Sequence, residues 1–98
     1  MTPERRASPR APVTIECILR RRTGSPIEAK TIDLGPDGMC VKCSRPLSPD
    51  EVLSFEITQV RGRARVMRQQ AARVYGLRFE QVPEQGRQAL LRLAGGAA

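Results

Sequence analysis

The chain of 98 residues contains no histidine and no tryptophan, and its aromatic residues are limited to Phe55, Tyr75 and Phe79. Without histidine there can be no Ser-His-Asp triad, no Cys-His nucleophile pair and no His-bearing zinc site. The shortage of aromatics thins out the platforms on which single-stranded nucleic-acid binders stack bases. No apolar run reaches the length of a transmembrane helix, and Met1-Thr2-Pro3-Glu4-Arg5-Arg6 lacks the apolar centre of a secretory signal. A cytoplasmic protein without membrane insertion is therefore expected. No convergent acid–base pair or activated nucleophile stands out, so an enzyme is not expected.

What the chain has in excess is positive charge. Seventeen Lys and Arg oppose ten Asp and Glu, a formal net charge of +7. That balance asks for an anionic partner. At 40% hydrophobic residues the composition is too apolar for a disordered tail, and the length leaves room for one domain. Nearly all the cations are Arg, whose planar fork suits paired acceptors on phosphates or base edges. They fall in groups. Arg5, Arg6 and Arg10 lie in a head bearing Pro9 and Pro12, and Arg20, Arg21 and Arg22 follow. Arg61, Arg63, Arg65, Arg68, Arg73 and Arg78 form a later cluster with no acid among them. Alternation along half-buried strands assigns this later cluster to a solvated face.

Periodicity points to a mostly β chain. Val13, Ile15, Cys17 and Leu19 alternate with Thr14, Glu16 and Ile18, and Thr23-Gly24-Ser25-Pro26 is a turn cluster. Ile27 and Ala29 then alternate, but Ile32 and Leu34 sit on the opposite phase, which predicts a bulge near Lys30-Thr31. Met39, Val41 and Cys43 share one face of a third strand. Leu53, Phe55 and Ile57 mark a fourth, Ala64 and Val66 a fifth, and Tyr75, Leu77 and Phe79 a sixth. Pro83 fits the first position of a closing helix, with Glu84 at the positive end of its dipole. Ala89, Leu90 and Leu93 recur at helical spacing, Arg87 and Arg92 face out, and Gly95-Gly96 stops the helix. The pattern predicts a mainly β fold: a small six-stranded antiparallel barrel with one C-terminal α-helix. As a single domain it divides into a flexible Arg-rich head (1–12), the barrel (13–80) and the helix (83–94).

Two segments could carry recognition chemistry. In Arg6-Ala7-Ser8-Pro9-Arg10, Pro9 and the nearby Pro12 keep two arginines off a helix, free to wrap around an anion. In Asp33-Leu34-Gly35-Pro36-Asp37-Gly38 the glycines permit positive φ and close backbone approach, and Asp33 offers two oxygens to paired N–H donors. Alone, the first reads as a basic arm and the second as a turn.

In this order the two segments resemble the PilZ domain family, which pairs an N-terminal RxxxR with a downstream [DN]xSxxG, then a split-type β-barrel and a C-terminal helix. The resemblance extends through Met39-Cys40-Val41, Gly76-Leu77-Arg78-Phe79 and Pro83-Glu84-Gln85, from about Glu4 to Leu93. It implies binding of bacterial cyclic di-GMP, with no other cofactor. Arg6 and Arg10 would meet guanine edges or phosphates as bidentate forks. Asp33 would accept from guanine N–H groups, and Gly38 would let the loop close under the base. Arg5 occupies a position where the family often has an arginine that helps hold a stacked ligand dimer. Gly35 stands where the family has Ser, a lost hydroxyl contact worth roughly 0.5–1.5 kcal/mol.

Cys40-Val41-Lys42-Cys43 is formally a CxxC, but positions three apart on a strand face opposite ways, and three thiols without His leave a zinc site one ligand short. Cys17 and Cys43 share the phase of core residues, while Cys40 faces the other way. No disulfide framework is implied. Three function classes remain open. The first is a cyclic di-GMP sensor, monomeric or dimerising with ligand, that signals to a separate effector protein. The others are a degenerate PilZ-like adaptor binding only protein, and a small basic nucleic-acid-binding barrel, which the lack of aromatics disfavours.

Overall fold

The computed structural model describes residues 10–95. Six strands run β2 (Glu16–Arg20), β3 (Ile27–Leu34), β4 (Gly38–Cys43), β5 (Val52–Ile57), β6 (Val60–Ala71) and β7 (Val74–Gln81). They pair in the order β3-β2-β5-β6-β7-β4, and β4 returns to β3, so the antiparallel sheet closes on itself as a six-stranded barrel. Closure removes free sheet edges. A two-residue strand, β1 (Ala11–Pro12), is added on β3, with Ala11 opposite Leu34 and Pro12 opposite Asp33. Residues 11–12, which the sequence assigns to the head, are thus already tied to the barrel.

The alternation read from the sequence builds the interior. Cys17, Leu19, Ile27, Ala29, Met39, Val41, Cys43, Leu53, Phe55, Ile57, Ala64, Val66, Tyr75, Leu77 and Phe79 are all buried in one cluster. Phe55 and Phe79 stack across it with ring centroids 4.9 Å apart. Burial pushes the thiol of Cys17 up to about 12 and that of Cys43 up to about 11, so both remain protonated apolar filler. Leu47 is also buried, its N–H donating to the Tyr75 hydroxyl at 3.0 Å. That bond anchors the irregular segment before β5. Arg21 fastens the same segment by an ion pair with Glu51 and a 2.9 Å bond to the Pro46 carbonyl. The guanidinium holds the Glu51 carboxyl below the usual range.

The phase slip expected near Lys30-Thr31 lies one residue later. The β3–β4 register shifts between Thr31 and Asp33, which leaves Ile32 as the extra residue. Ile32 is consequently not a core residue but 44% exposed, and Thr31 takes the inward position at 1%. A buried hydroxyl needs partners, and Thr31 has two. It donates to the Val13 carbonyl at 2.5 Å and accepts the Ile15 N–H at 2.9 Å. Backbone bonds from Val13 to Ile32 and from Thr31 to Ile15 complete the stitching of the incoming chain to the bulge.

Helix α1 (Glu84–Leu93) follows β7 and docks Leu90 into the core, with Ala89 and Leu93 partly buried beside it. Pro83 is the N-cap rather than the first helical residue: its ψ of 152° is extended, and its carbonyl accepts the Arg87 N–H. Gly95, at φ 81°, ends the helix in the left-handed region as expected, while Gly96 lies outside the described residues. Arg92 is exposed, but Arg87 is half-buried because a loop carbonyl lies within its reach, as described below.

Two measurements check these contacts. Thr31→Val should lower stability in urea titration by about 1–3 kcal/mol, since it leaves a carbonyl and an N–H unpaired. Glu51→Gln should cost about 1 kcal/mol at neutral pH, solvent screening at the partly exposed Arg21 included. Because Glu51 has its folded pKa depressed, its contribution is full above the ordinary carboxylate range and is lost as pH falls through the folded value. The difference between wild type and variant should therefore vanish in acid.

Candidate functional site

The bulge at Ile32 sets the site. Ile27, Ala29 and Thr31 point inward, and simple alternation would carry Asp33 inward with them. The extra residue turns Asp33 to the outer face and Leu34 to the core. β1 pairs with this stretch of β3 and so brings Arg10, the residue preceding it, to the same place. Arg10 Nη1 donates to Asp33 Oδ1 at 3.3 Å, with side chains only 13% and 19% exposed. The same carboxylate oxygen accepts the Cys40 N–H at 3.2 Å. Asp33 is thus oriented by a guanidinium from the N-terminal segment and a backbone donor from β4.

Gly38 begins β4 directly opposite Arg78 of β7. A Cβ there would lie 2.3 Å from the Leu77 carbonyl oxygen and 2.7 Å from Arg10 Nη2. The position is confined to glycine by close approach, from β7 on one side and the Arg10 guanidinium on the other. Neither Gly35 nor Gly38 has positive φ, so the backbone freedom expected from the sequence is not what this loop uses. The Gly35 N–H donates to the Gly38 carbonyl at 3.0 Å, which closes a two-residue tip of Pro36 and Asp37. The Asp37 carbonyl accepts the Phe79 N–H at 2.8 Å, joining the tip to β7.

Three contributors were not visible in the sequence. Arg87, expected to face solvent from α1, donates to the Pro36 carbonyl at 3.0 Å and fastens the loop tip to the helix. Arg78 stands beside Gly38 with a largely exposed guanidinium, paired with Glu80 at 3.8 Å. Cys40, on the outer phase as expected, is nevertheless 2% exposed, with its thiol 3.6 Å from the Gln70 side-chain oxygen. Arg87 had no signal, since a helical arginine meeting a loop fifty-one residues away is a tertiary event. Of the expected site residues, Arg10, Asp33 and Gly38 meet, and Gly35 supports them through its backbone. Arg5 and Arg6 lie outside the described residues.

The later arginine cluster lies on the solvated face as the alternation predicts, and several of its members are paired there. Arg65 makes a two-pronged pair with Glu80, at 2.5 Å and 3.2 Å, and reaches the Asp50 carbonyl. Arg61 pairs with Glu56 at 3.5 Å, and Arg63 donates to Gln81 at 2.9 Å. The partners come from adjoining strands, out of sight in the linear sequence. Among the described residues no group of His, Cys, Asp and Glu could hold a metal ion. No described helix is long and apolar enough to cross a membrane.

These residues define a small barrel with a polar site on its outer face, built where an N-terminal arginine meets a bulged strand and a glycine-bearing loop. A family model for the PilZ domain matches residues 4–96, and the chain belongs to that family, which is known as a cyclic di-GMP receptor family. PilZ domains act in binding and regulation, generally not in catalysis. Among solved structures, the PilZ domain of CeSA from a cellulose synthesizing bacterium is similar in fold, with a TM-score of 0.65 at 22% identity. That match covers 92% of this chain and 98% of the other. Comparison with curated proteins returns no match.

Gly38→Ala should cost about 1–3 kcal/mol in a urea titration, because the added methyl meets backbone on β7 that cannot rotate away. An unchanged midpoint would refute the close approach described here.

Proposed function

We propose that the chain is a cyclic di-GMP receptor that uses the Arg10–Asp33–Gly38 constellation. The observation that carries this reading is the convergence, on one outer face, of a guanidinium, a carboxylate and a position bare of side chain. Guanine offers paired acceptors, O6 and N7, on one edge and N–H donors on another. Arg10 suits the first, or a phosphate of the ligand, and Asp33 suits the second. Gly38 leaves the base free to approach the backbone once Arg10 swings off it. Arg6 and Arg5 would add forks from the head, Arg6 to the same ligand and Arg5 to a second, stacked one. Ordering of the head by ligand would then signal to a separate effector protein in the cytoplasm, with the protein monomeric or dimerising on binding.

One observation favours a second reading. Gly35 lacks the hydroxyl that the family places in this loop, which suits a domain that has given up the nucleotide and serves as a protein-binding adaptor. Calorimetry separates the two. The receptor reading expects saturable binding of cyclic di-GMP, selective over GTP. Arg6→Ala or Arg10→Ala should weaken it at least tenfold, the scale of a lost charge-assisted contact (about 1.5–3 kcal/mol). Asp33→Ala should weaken it too, and Gly35→Ser should tighten it. No heat at tens of micromolar would leave the adaptor reading standing.

A further inference from the structure

Once the arginines are sorted by partner, four cations remain together on the outer face of the barrel. Lys30 of β3, Lys42 of β4, Arg68 of β6 and Arg73 of the β6–β7 turn are all exposed. Among the described ion pairs none involves them. The sheet places them side by side. Lys30 is directly opposite Lys42, Lys42 is opposite Val74, and Arg73 precedes Val74 in the turn. Arg68 is opposite Gly76, which is itself opposite Cys40, two residues along β4 from Lys42.

This arrangement carries two local costs. Like charges directly opposite on neighbouring strands repel. The one comparable pair, Arg65 opposite Arg78, is bridged by Glu80, whereas no carboxylate bridges Lys30 and Lys42. Arg73 sits at φ 60°, a left-handed conformation that glycine or asparagine adopts more readily. On its other side Lys30 is opposite Glu16 of β2, so the charge left over in the patch is that of Lys42, Arg68 and Arg73. That charge, with a strained backbone beside it, points to a surface shaped by what it contacts.

The chemistry beside the cations narrows the partner. An open groove of about 550 Å³ runs along this face, lined by Lys30, Lys42, Ser44, Ile18, Glu16 and Glu28. A nucleic-acid backbone, negative throughout, would meet Glu16 and Glu28 as well as the lysines. All three aromatic residues are buried, so no ring is presented for base stacking. A polypeptide can place acids on the cations, an apolar side chain against Ile18, and neutral or basic residues beside the glutamates.

We propose that the Lys30–Lys42–Arg68–Arg73 face with its adjoining groove is a docking surface for an acidic, extended segment of a partner protein. It lies on the same outer face of β4 as Gly38, four residues further along, or about 13 Å. The proposal does not depend on cyclic di-GMP, and its test contains none.

The probe is a fluorescein-labelled twelve-residue peptide of repeating Asp-Glu-Leu, followed by anisotropy against the full chain at low salt. Saturable binding is expected. The double variant Lys42→Glu/Arg73→Glu should weaken it at least tenfold. Arg22→Glu/Arg92→Glu, with the same change in net charge at unpaired exposed cations elsewhere, should change it less than twofold. Arg73→Gly should raise the melting temperature by about 2–5 °C while weakening the peptide, the signature of a residue kept at a cost to stability. Absence of saturable binding, equal losses from the two double variants, or tighter binding of a (dT)₁₂ oligonucleotide than of the peptide would each overturn the proposal.

Discussion

One extra residue in β3 decides where the chemistry of this protein faces. Without Ile32 as a bulge, strict alternation would turn the carboxylate of Asp33 toward a barrel interior of Leu, Ile, Val and Met side chains. A lone ionised carboxylate there would be prohibitively costly, and the chain would have to protonate it or misregister the strand. With the bulge, Leu34 seals the core, Asp33 meets Arg10 and the Cys40 N–H, and Thr31 turns its hydroxyl to the entering chain. Exposure of Ile32 is the accompanying loss. The same irregularity thus orients the candidate ligand carboxylate and stitches down the segment that delivers its arginine.

The surrounding electrostatics follow from strand pairing more than from composition. A net charge of +7 suggests a diffuse positive field, yet many of the arginines are committed to particular partners: Arg21 to Glu51, Arg65 to Glu80, Arg61 to Glu56, Arg87 to the Pro36 carbonyl. These contacts link the loop before β5, the β6–β7 sheet and the helix to the barrel. Among the described cations they leave over, Lys30, Lys42, Arg68 and Arg73 fall together on one stretch of the outer face, while Arg22 and Arg92 lie elsewhere. Exposed pairs contribute little each, so their weight lies in fixing geometry and in sorting which cations stay available.

Much of the fold was legible because an inside–outside barrel strand has a simple period. Alternation from Cys17 to Phe79 located every barrel strand and the three core aromatics, and the helical spacing of Ala89, Leu90 and Leu93 located the closing helix. The order of Arg10, Asp33 and Gly38 pointed to the site. Misreadings clustered where periodicity loses authority. The phase of Ile32 and Leu34 predicts a bulge near Lys30-Thr31, but only hydrogen-bond pairing tells which of the neighbouring residues is the extra one, and it is Ile32. Arg87 looked solvated because its partner belongs to a distant loop. Gly38 matters through the closeness of Leu77 and Arg10, not through a backbone angle.

By itself, then, the sequence determined a small β-barrel with a terminal helix, a family resemblance and the residues from which a site could be made. Those features depend on local pattern: side-chain period, turn residues and motif order. The tertiary structure alone decided that Asp33 faces out, that Arg10 lies on it across Gly38, and that Lys30 and Lys42 confront each other without a carboxylate between them. Each is a consequence of register, the quantity that two strands fix only by pairing.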